Sequence, residues 1–302
     1  MDISALSLQF FCTGLTIGSI YALIALGFTI IFNASGIVNF AQGEFVMLGA
    51  LVAVTLVGDT AAPLAWYMVP AAVILSTLLV AGFAGLLQLV FIRPLTGRPV
   101  LTAIILTIGA SIAIHGVAML VWGKDALPLP PLPGPPVLAV GSAVVPFQSV
   151  WVLGVSLVAM LALRLFFDRT LIGRAMRANA ANREGALLVG INPQRIVLLS
   201  FILSGALGAG AGALIAPSTL ATYDMGTMLG LKGFAAAILG GLGSSPGAIL
   251  GGLLLGLLES FGAGFLPTGL SGYKDAVAFV VVLLVLFLRP SGLLGSRKVK
   301  GL

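Results

Sequence analysis

The stretch that sets the organisation of this sequence is DRTLIGRAMRANAANREGALLVGINPQR (168–195), the only long hydrophilic run in an otherwise apolar chain of 302 residues. Its middle is rich in alanine, which has the lowest intrinsic cost of helix formation. Gly190 supplies a terminal glycine and Asn192-Pro193 follows it, a pattern that ends helices. We therefore expect a short Ala-rich helix between two hydrophobic segments. Five arginines and two acids flank or line it: Arg169, Arg174, Arg177, Arg183, Arg195, Asp168 and Glu184.

The composition identifies the environment of the rest of the chain. Hydrophobic residues make up 59% of the sequence and charged residues 8%, against roughly 25% charged in ordinary soluble domains. So few charges cannot cover a water-exposed surface. We predict an all-α polytopic membrane protein, with residues 1–302 forming a single transmembrane domain. The net charge of +6 is too sparse to indicate nucleic-acid binding.

Sequence motifs for bound cofactors are missing. There is no G-x-x-x-x-G-K-[ST] run, so this chain cannot hold ATP in the Walker manner, and no H-E-x-x-H or Cys/His metal cluster. We therefore expect neither a catalytic residue nor a cofactor nor a metal in this chain.

Apolar runs of about 20 residues predict the membrane spans. The seventh run is short and the second begins with a polar break, so the expected count is eight or nine. The candidates are 8–32, 35–58, 65–92, 100–122, 147–166, 196–216, 229–243, 247–266 and 274–288.

Lysines and arginines predict the orientation, because they stay on the cytoplasmic side in short loops. If 168–195 is cytoplasmic, strict alternation puts twelve basic residues inside and leaves three, Lys124, Lys232 and Lys274, outside. We therefore expect a cytoplasmic 168–195, a full crossing by 229–243, and an N-terminus outside. The twelve are Arg93, Arg98, Arg164, Arg169, Arg174, Arg177, Arg183, Arg195, Arg289, Arg297, Lys298 and Lys300.

A polar patch interrupts the second segment, in FNASGIVNFAQGEFVML (32–48). Polar groups at hydrocarbon depth are costly and usually face a cavity or another helix. Asn39 and Gln42 are three residues apart, a spacing that could put both on one helix face. Gly36 and Gly43 permit a broken helix, and broken helices line transport sites. Two interpretations stay open: a pathway or gate, and interhelical hydrogen bonds. The candidates are Asn33, Asn39, Gln42, Gly43 and Glu44.

Four further features have two interpretations each. Glu259 is either a pathway residue or a buried hydrogen-bonding partner, and His115 is either a proton relay or a packing residue. The Gly- and Ser-rich run 239–252 is either a tight cytoplasmic turn or a second helix break paired with the first. The six prolines within 123–146 predict a stiff extended connector, which could also face an extracytoplasmic partner.

Glycines four residues apart predict close helix contacts. They recur at Gly14/Gly18, Gly208/Gly212, Gly247/Gly251 and Gly252/Gly256.

Four blocks, in order, resemble one transporter family. They are GSIYALIALGFTIIFNASGIVNFAQGEF (18–45), RTLIGRAMRANAANREGALLVGIN (169–192), GLKGFAAAILGGLGSSPGAILGG (230–252) and YKDAVAFVVVLLVLFLRPSGLLG (273–295). The first carries the N-F-A-x-G-E pattern of the permease subunits of branched-chain amino acid ABC importers. The likeness covers nearly the whole chain.

This resemblance implies half of a translocation pore in a bacterial cytoplasmic membrane. The implied partners are a second permease, either a sister chain or a copy of this one, two cytoplasmic ATPases holding ATP-Mg, and a periplasmic or lipid-anchored binding protein. The E-A-A-x-x-x-G coupling motif of ABC importers is similar to Glu184-Gly185-Ala186 with Gly190, although its second position is Gly and no I-x-L-P follows. The implied ATPase-coupling residues are Arg174, Arg177, Arg183, Glu184, Gly185, Ala186 and Gly190.

Other functions remain as alternatives. A related permease for urea or short amides is not excluded by the resemblance. An ion-coupled secondary transporter would be expected to carry more intramembrane acids than Glu44 and Glu259, and would need no docking loop. An aquaporin-like channel would need two N-P-A motifs, which this sequence lacks.

Overall fold

The computed structural model describes residues 3–58, 65–95, 99–140, 143–265 and 274–295, and these are almost entirely helical. A π-helical turn (Gln88–Ile92) and a 3-10 turn (Arg93–Leu95) extend α3. The α-helices of the described ranges are α1 (Ile3–Ser35), α2 (Gln42–Val57), α3 (Met68–Leu87), α4 (Val100–Trp122), α5 (Phe147–Arg169), α6 (Leu171–Ala181), α7 (Arg183–Leu188), α8 (Pro193–Thr219), α9 (Met225–Gly240), α10 (Ser245–Phe265) and α11 (Lys274–Leu288).

Six described helices are long and apolar enough to cross a membrane: Leu6–Ser35, Met68–Ile92, Val100–Trp122, Phe147–Arg169, Pro193–Thr219 and Ser245–Gly264. Three shorter helices are also apolar: Gln42–Val57, Met225–Gly240 and Phe279–Leu288. These nine differ from the nine predicted segments by at most five residues at either end, except that the second begins at Gln42 and not at residue 35. The chain is thus a helical, multi-pass membrane protein.

Contacts at one end of the bundle bring together helix ends that are far apart in sequence. Asn33, in the last turn of α1, donates from Nδ2 to the carbonyl oxygen of Gly243 in the α9–α10 turn (2.9 Å). Asn179 of α6 donates from Nδ2 to the carbonyl oxygen of Ala34 (3.1 Å). The backbone after α11 bonds to the end of α9. We call this the α6–α7 end.

The opposite end carries the connection between α4 and α5. Trp122 at the end of α4 donates from Nε1 to Thr55 Oγ1 near the end of α2 (2.7 Å). Leu127 pairs with Ala221 in an isolated antiparallel bridge, beside the end of α8. We call this the hairpin end. Helices α1 and α5 end at the α6–α7 end, whereas α2, α4 and α8 end at the hairpin end.

Glycines set the closest helix contacts. An added Cβ at Gly256 of α10 would overlap the backbone of Gly18 in α1, and one at Gly212 of α8 would overlap the carbonyl oxygen of Val46 in α2. Seven of the eight glycines in the four predicted pairs would overlap a neighbouring backbone in this way, and a Cβ at Gly208 would lie 3.1 Å from the side chains of Gln42 and Phe45. Small residues therefore bring the central backbones together, as expected where lipid supplies no hydrophobic drive between helices.

The centre of the bundle is α1. Of its apolar window 83% is buried, against 11% for α4 and 17% for α5. The last two are therefore peripheral helices with mostly exposed apolar faces.

The hydrophilic stretch holds two helices where the sequence predicted one. Asn182 ends α6 and begins α7, and its Oδ1 accepts from the backbone N–H of Gly185 (2.9 Å). An Asn that caps a new helix interrupts the alanine pattern. Gly190, with φ +83°, follows α7 as expected. Asn192 and Pro193 then form the N-cap and first turn of α8, so the Asn-Pro pair starts a helix.

The proline-rich connection departs from the all-α prediction. It carries a short antiparallel hairpin, β1 (Val137–Val140) and β2 (Ala143–Pro146). Within this connection Leu129 and Leu132 are buried. Gln148 of α5 accepts from the backbone N–H of Leu132 (3.1 Å), so the connection lies against the bundle.

Candidate functional site

The predicted break lies between α1 and α2. The first helix ends at Ser35, Gly36 follows with φ +71°, and α2 begins only at Gln42. The side chain of Gln42 packs against Gly27, where an added Cβ would overlap its Nε2. Since Gly27 lies two turns before the end of α1, α2 begins roughly 12 Å inside the α6–α7 end. A non-helical segment therefore runs back along α1 into the bundle.

Gln42 is held by α8. Its Nε2 donates to the carbonyl oxygen of Ser204 (3.1 Å), and Ser204 Oγ donates to Gln42 Oε1 (2.5 Å). Both residues are fully buried. This two-bond contact fixes the first turn of α2. Both polar atoms of the Gln42 side chain are thus used in hydrogen bonds between helices, which is the second of the two interpretations left open by the sequence.

Glu44 faces α4. Ser111 Oγ donates to Glu44 Oε1 (2.8 Å), while Glu44 Oε2 is buried and has no hydrogen-bond partner in the described part of the chain. The Nδ2 of Asn39 is likewise buried and without a described partner. Asn39 precedes α2, so the expectation that it shares a helix face with Gln42 is wrong: the segment before α2 is not helical. Its Oδ1 accepts from the backbone N–H of Ala41 (3.2 Å).

Three hydrogen bonds join the α2 region to α4, each between residues 67 apart in sequence. Besides Ser111–Glu44 and Trp122–Thr55, the backbone N–H of Phe40 donates to Thr107 Oγ1 (3.4 Å). A constant offset means that the two helices run parallel and in register. Polar contacts, at the start and the end of α2, thus link α4 to the bundle.

A second helix interruption lies next to the first. It is the segment between α8 and α9, and not the run 239–252 that the sequence offered as a candidate. Residues 220–224 separate α8 from α9, and Leu220 has φ +65°, alone among described non-glycine residues. The first turn of α9 packs on that of α2: an added Cβ at Gly43 would overlap the carbonyl oxygen of Gly226. Next to it, the rings of Tyr223 and His115 lie 5.2 Å apart. Run 239–252 instead contains the tight α9–α10 turn.

Glu259 belongs to a different cluster. Its Oε2 accepts from Tyr21 OH of α1 (2.6 Å), and its Oε1 accepts from Lys232 Nζ of α9 (2.9 Å). The side chains of Lys232 and Glu259 are 12% and 7% exposed. Lys232, which the charge count placed on the outer side, lies inside α9, where it pairs with the carboxylate of Glu259 on the neighbouring helix.

The predicted pathway residues therefore fall into three places. Asn39, Gln42, Gly43 and Glu44 lie around the start of α2. Asn33 lies at the α6–α7 end, and Glu259 lies between α1, α9 and α10. No local sequence signal pointed to Ser204, Ser111, Tyr21 and Lys232, because their partners are distant in sequence.

The predicted coupling residues lie on α6, on α7 and, for Gly190, just after α7. Gly173 packs α6 closely on α5, since an added Cβ would overlap the carbonyl oxygen of Phe166. Arg177 donates to Asp168 Oδ1 (2.7 Å). On α7, Ala186 is buried, whereas Leu188 is 90% exposed. The remaining predicted residues of this group lie on the surface or at partly exposed positions: Arg174, Arg183, Glu184, Gly185 and Gly190.

Comparison with known proteins identifies relatives over almost the whole length. A family model described as the permease component of branched-chain amino acid transport systems matches residues 10–286. The BraD permease protein of Pseudomonas aeruginosa is 38% identical over 301 residues, 97% of each chain. The LivH permease protein of Escherichia coli is 36% identical over 97% of each chain. A probable LivH of Methanocaldococcus jannaschii is 29% identical, over 92% of this chain and 89% of its own.

Among solved structures, a chain of PsaBC from Streptococcus pneumoniae in complex with Fab aligns with 95% of this chain and 92% of its own. The TM-score is 0.46 and the identity 14%.

Proposed function

This chain belongs to the family of permease components of branched-chain amino acid transport systems, and we propose that it forms half of the pore of an ATP-driven importer for branched-chain or other hydrophobic amino acids. The observation that carries this proposal is the 38% identity to BraD over 97% of both chains. The membrane would be the bacterial cytoplasmic membrane, crossed eight or nine times. Residues 168–195 would face the cytoplasm and the N-terminus the outside.

The passage is proposed to run past the first turns of α2 and α9. Both helices begin inside the bundle, and interrupted helices expose backbone and side-chain groups to a cargo. Glu44 Oε2 is a buried acceptor and Asn39 Nδ2 a buried donor, neither with a described partner. An amino acid zwitterion carries the complementary groups, an ammonium and a carboxylate. A buried polar atom left without a partner has a free-energy cost that a passing substrate would relieve.

Coupling to ATP is proposed to act through α7. Leu187, Leu188 and Val189 are 55%, 90% and 75% exposed, although they are aliphatic. If this end is cytoplasmic, water surrounds them in the isolated chain, and an apolar patch of this kind fits a groove on a partner. The partner would be one of two ATPase subunits that hold ATP-Mg.

Two hydrogen bonds provide a route from the coupling helices to the pore. Asn179 of α6 binds the carbonyl oxygen of Ala34, and Asn33 next to it binds Gly243. A displacement of α6 would therefore act directly on the end of α1, from which the segment leading to α2 departs. Switching of this kind needs two packings to which ATP binds with different affinity. A second permease and a substrate-binding protein would complete the importer.

The coupling proposal is tested with Leu188→Asp. We expect the variant to fold and enter the membrane, because Leu188 is exposed, but to lose co-purification with the ATPases by at least tenfold, since one buried interface anchor contributes about 2 kcal/mol or more. Val137→Asp is the matched control: it changes an aliphatic side chain, 53% exposed, at the hairpin end. Equal retention of the ATPases by both variants would contradict the role of α7.

A further inference from the structure

A cavity of about 560 Å³ opens at the α6–α7 end, between α1, α5, α6 and the α9–α10 turn. Its interior is apolar, and its lining includes Leu26, Ile30, Leu163, Phe167, Met176 and Ile249. Arg164, Asp168 and Arg177 line it as well. One cavity therefore combines an apolar interior with charged groups at the end of the bundle.

The charges leave a net positive site. Asp168 is the shared carboxylate of two guanidinium groups: its Oδ1 lies 2.7 Å from Arg177 Nη1, and its Oδ2 lies 3.8 Å from Arg164 Nε. Two cations and one anion give a net charge of +1. The side chains of Arg164 and Arg177 are 81% and 52% exposed. A guanidinium has five N–H donors, so both can bind Asp168 and still donate to a phosphate.

The geometry points to an anionic phospholipid: we propose that this cavity binds the phosphate of such a lipid at Arg164 and Arg177, and one of its acyl chains along the apolar lining. An acyl chain matches the apolar interior of the cavity. A soluble phosphate compound without an acyl chain would make no favourable contact there. Phosphatidylcholine brings its own ammonium, which Arg164 and Arg177 would repel, whereas phosphatidylglycerol has no cation. The lipid would come from the cytoplasmic leaflet, and this part of the proposal rests on the orientation given under the proposed function.

Such a lipid would touch the elements proposed for coupling. Met176 and Arg177 belong to α6, while Asn33 of the α1–Gly243 contact lines the same cavity. The lipid would fill the space between α6 and α1. It would thereby stabilise the contact between these two helices, for which one side-chain hydrogen bond is described, from Asn179 to Ala34. Lipid composition would then regulate the coupling.

Native mass spectrometry of the purified full-length chain in detergent tests the site, with phosphatidylglycerol, phosphatidylcholine and glycerol 1-phosphate as probes. We expect one phosphatidylglycerol to be retained preferentially. Arg164→Gln should weaken its binding by about fivefold, since a basic residue near a lipid surface contributes about 1 kcal/mol. Arg169→Gln is the matched control, because it removes an exposed arginine at the same end that is absent from the cavity lining.

A second variant tests the apolar part separately. Ala180→Trp places a large side chain in the cavity and leaves all three charges in place, so it should also lower phosphatidylglycerol retention. The proposal is overturned if phosphatidylcholine is retained equally, if glycerol 1-phosphate binds as tightly, or if Arg169→Gln weakens binding as much as Arg164→Gln. Binding is read without transport or ATPases, so a failed importer assignment would leave this result unaffected.

Discussion

In the described part of the chain, the carboxyl groups of Glu44 and Glu259 lie among the central helices, and their surroundings differ. Glu259 has a cation and a phenol within 3 Å, whereas one oxygen of Glu44 has no described partner. A buried charge without compensation is costly, so the first arrangement suits a structural role and the second suits a site that binds something. We therefore assign a structural role to Glu259 and a substrate-binding role to Glu44.

The structural role of the Lys232–Glu259 pair predicts a large effect of breaking it. Lys232→Met leaves the Glu259 carboxylate buried without its cation, and we expect a loss of about 3–5 kcal/mol in stability. The double variant Lys232→Met/Glu259→Gln removes both charges and keeps an acceptor for Tyr21, so it should recover most of that loss. Thermal unfolding in detergent measures both, with the exposed Lys124→Met as control. A double variant no more stable than Lys232→Met would contradict this account.

At the scale of the helix, contact glycines are distinguishable from free ones. Gly212→Ala places a methyl group against the carbonyl oxygen of Val46, so α8 must move away from α2, at a cost of about 1–3 kcal/mol. Gly82→Ala on α3 is the control, since a Cβ there has no neighbour within 4 Å. Its stability should be unchanged or higher, because Ala favours the helix. Equal melting temperatures for the two variants would contradict the packing described.

The helices were predictable where they depend on local composition. Apolar length identified the six long apolar helices and the three shorter ones, with α4 and α11 correct to the residue, and glycine spacing identified some of the contact positions. The split between α6 and α7 at Asn182 was missed because one capping side chain outweighed the alanine pattern. The hairpin within 123–146 was missed because the six prolines that precede its strands predict an extended connector.

The site was predictable only in part, because most of its contacts join distant residues. Glu44 and Gln42 were chosen because polar groups are rare at membrane depth. Their partners Ser111 and Ser204 lie 67 and 162 residues away and have no distinguishing pattern. Leu220 has a positive φ, which no local sequence motif predicts for a leucine. The interruption before α9 was therefore missed.

At the scale of the molecule, the α6–α7 end and the interior of the bundle have separate functions in this account. The α6–α7 end carries the exposed aliphatic residues of α7, while the interrupted starts of α2 and α9 lie within the bundle. Peripheral α4 and α5 leave wide apolar faces, as expected of helices that contact lipid. Residues at the end of α1 join the two regions, so ATP-driven movement at one could change access at the other.

Uptake of labelled leucine into vesicles containing the assembled importer, with its binding protein present, tests the central claim most directly. The account predicts uptake that requires ATP, exceeds urea uptake, and falls at least tenfold in Glu44→Gln while the complex still assembles, because removing a buried charged partner of the substrate costs about 1.4 kcal/mol or more. Leucine uptake indifferent to ATP, or ATP-driven uptake of urea alone, would contradict it.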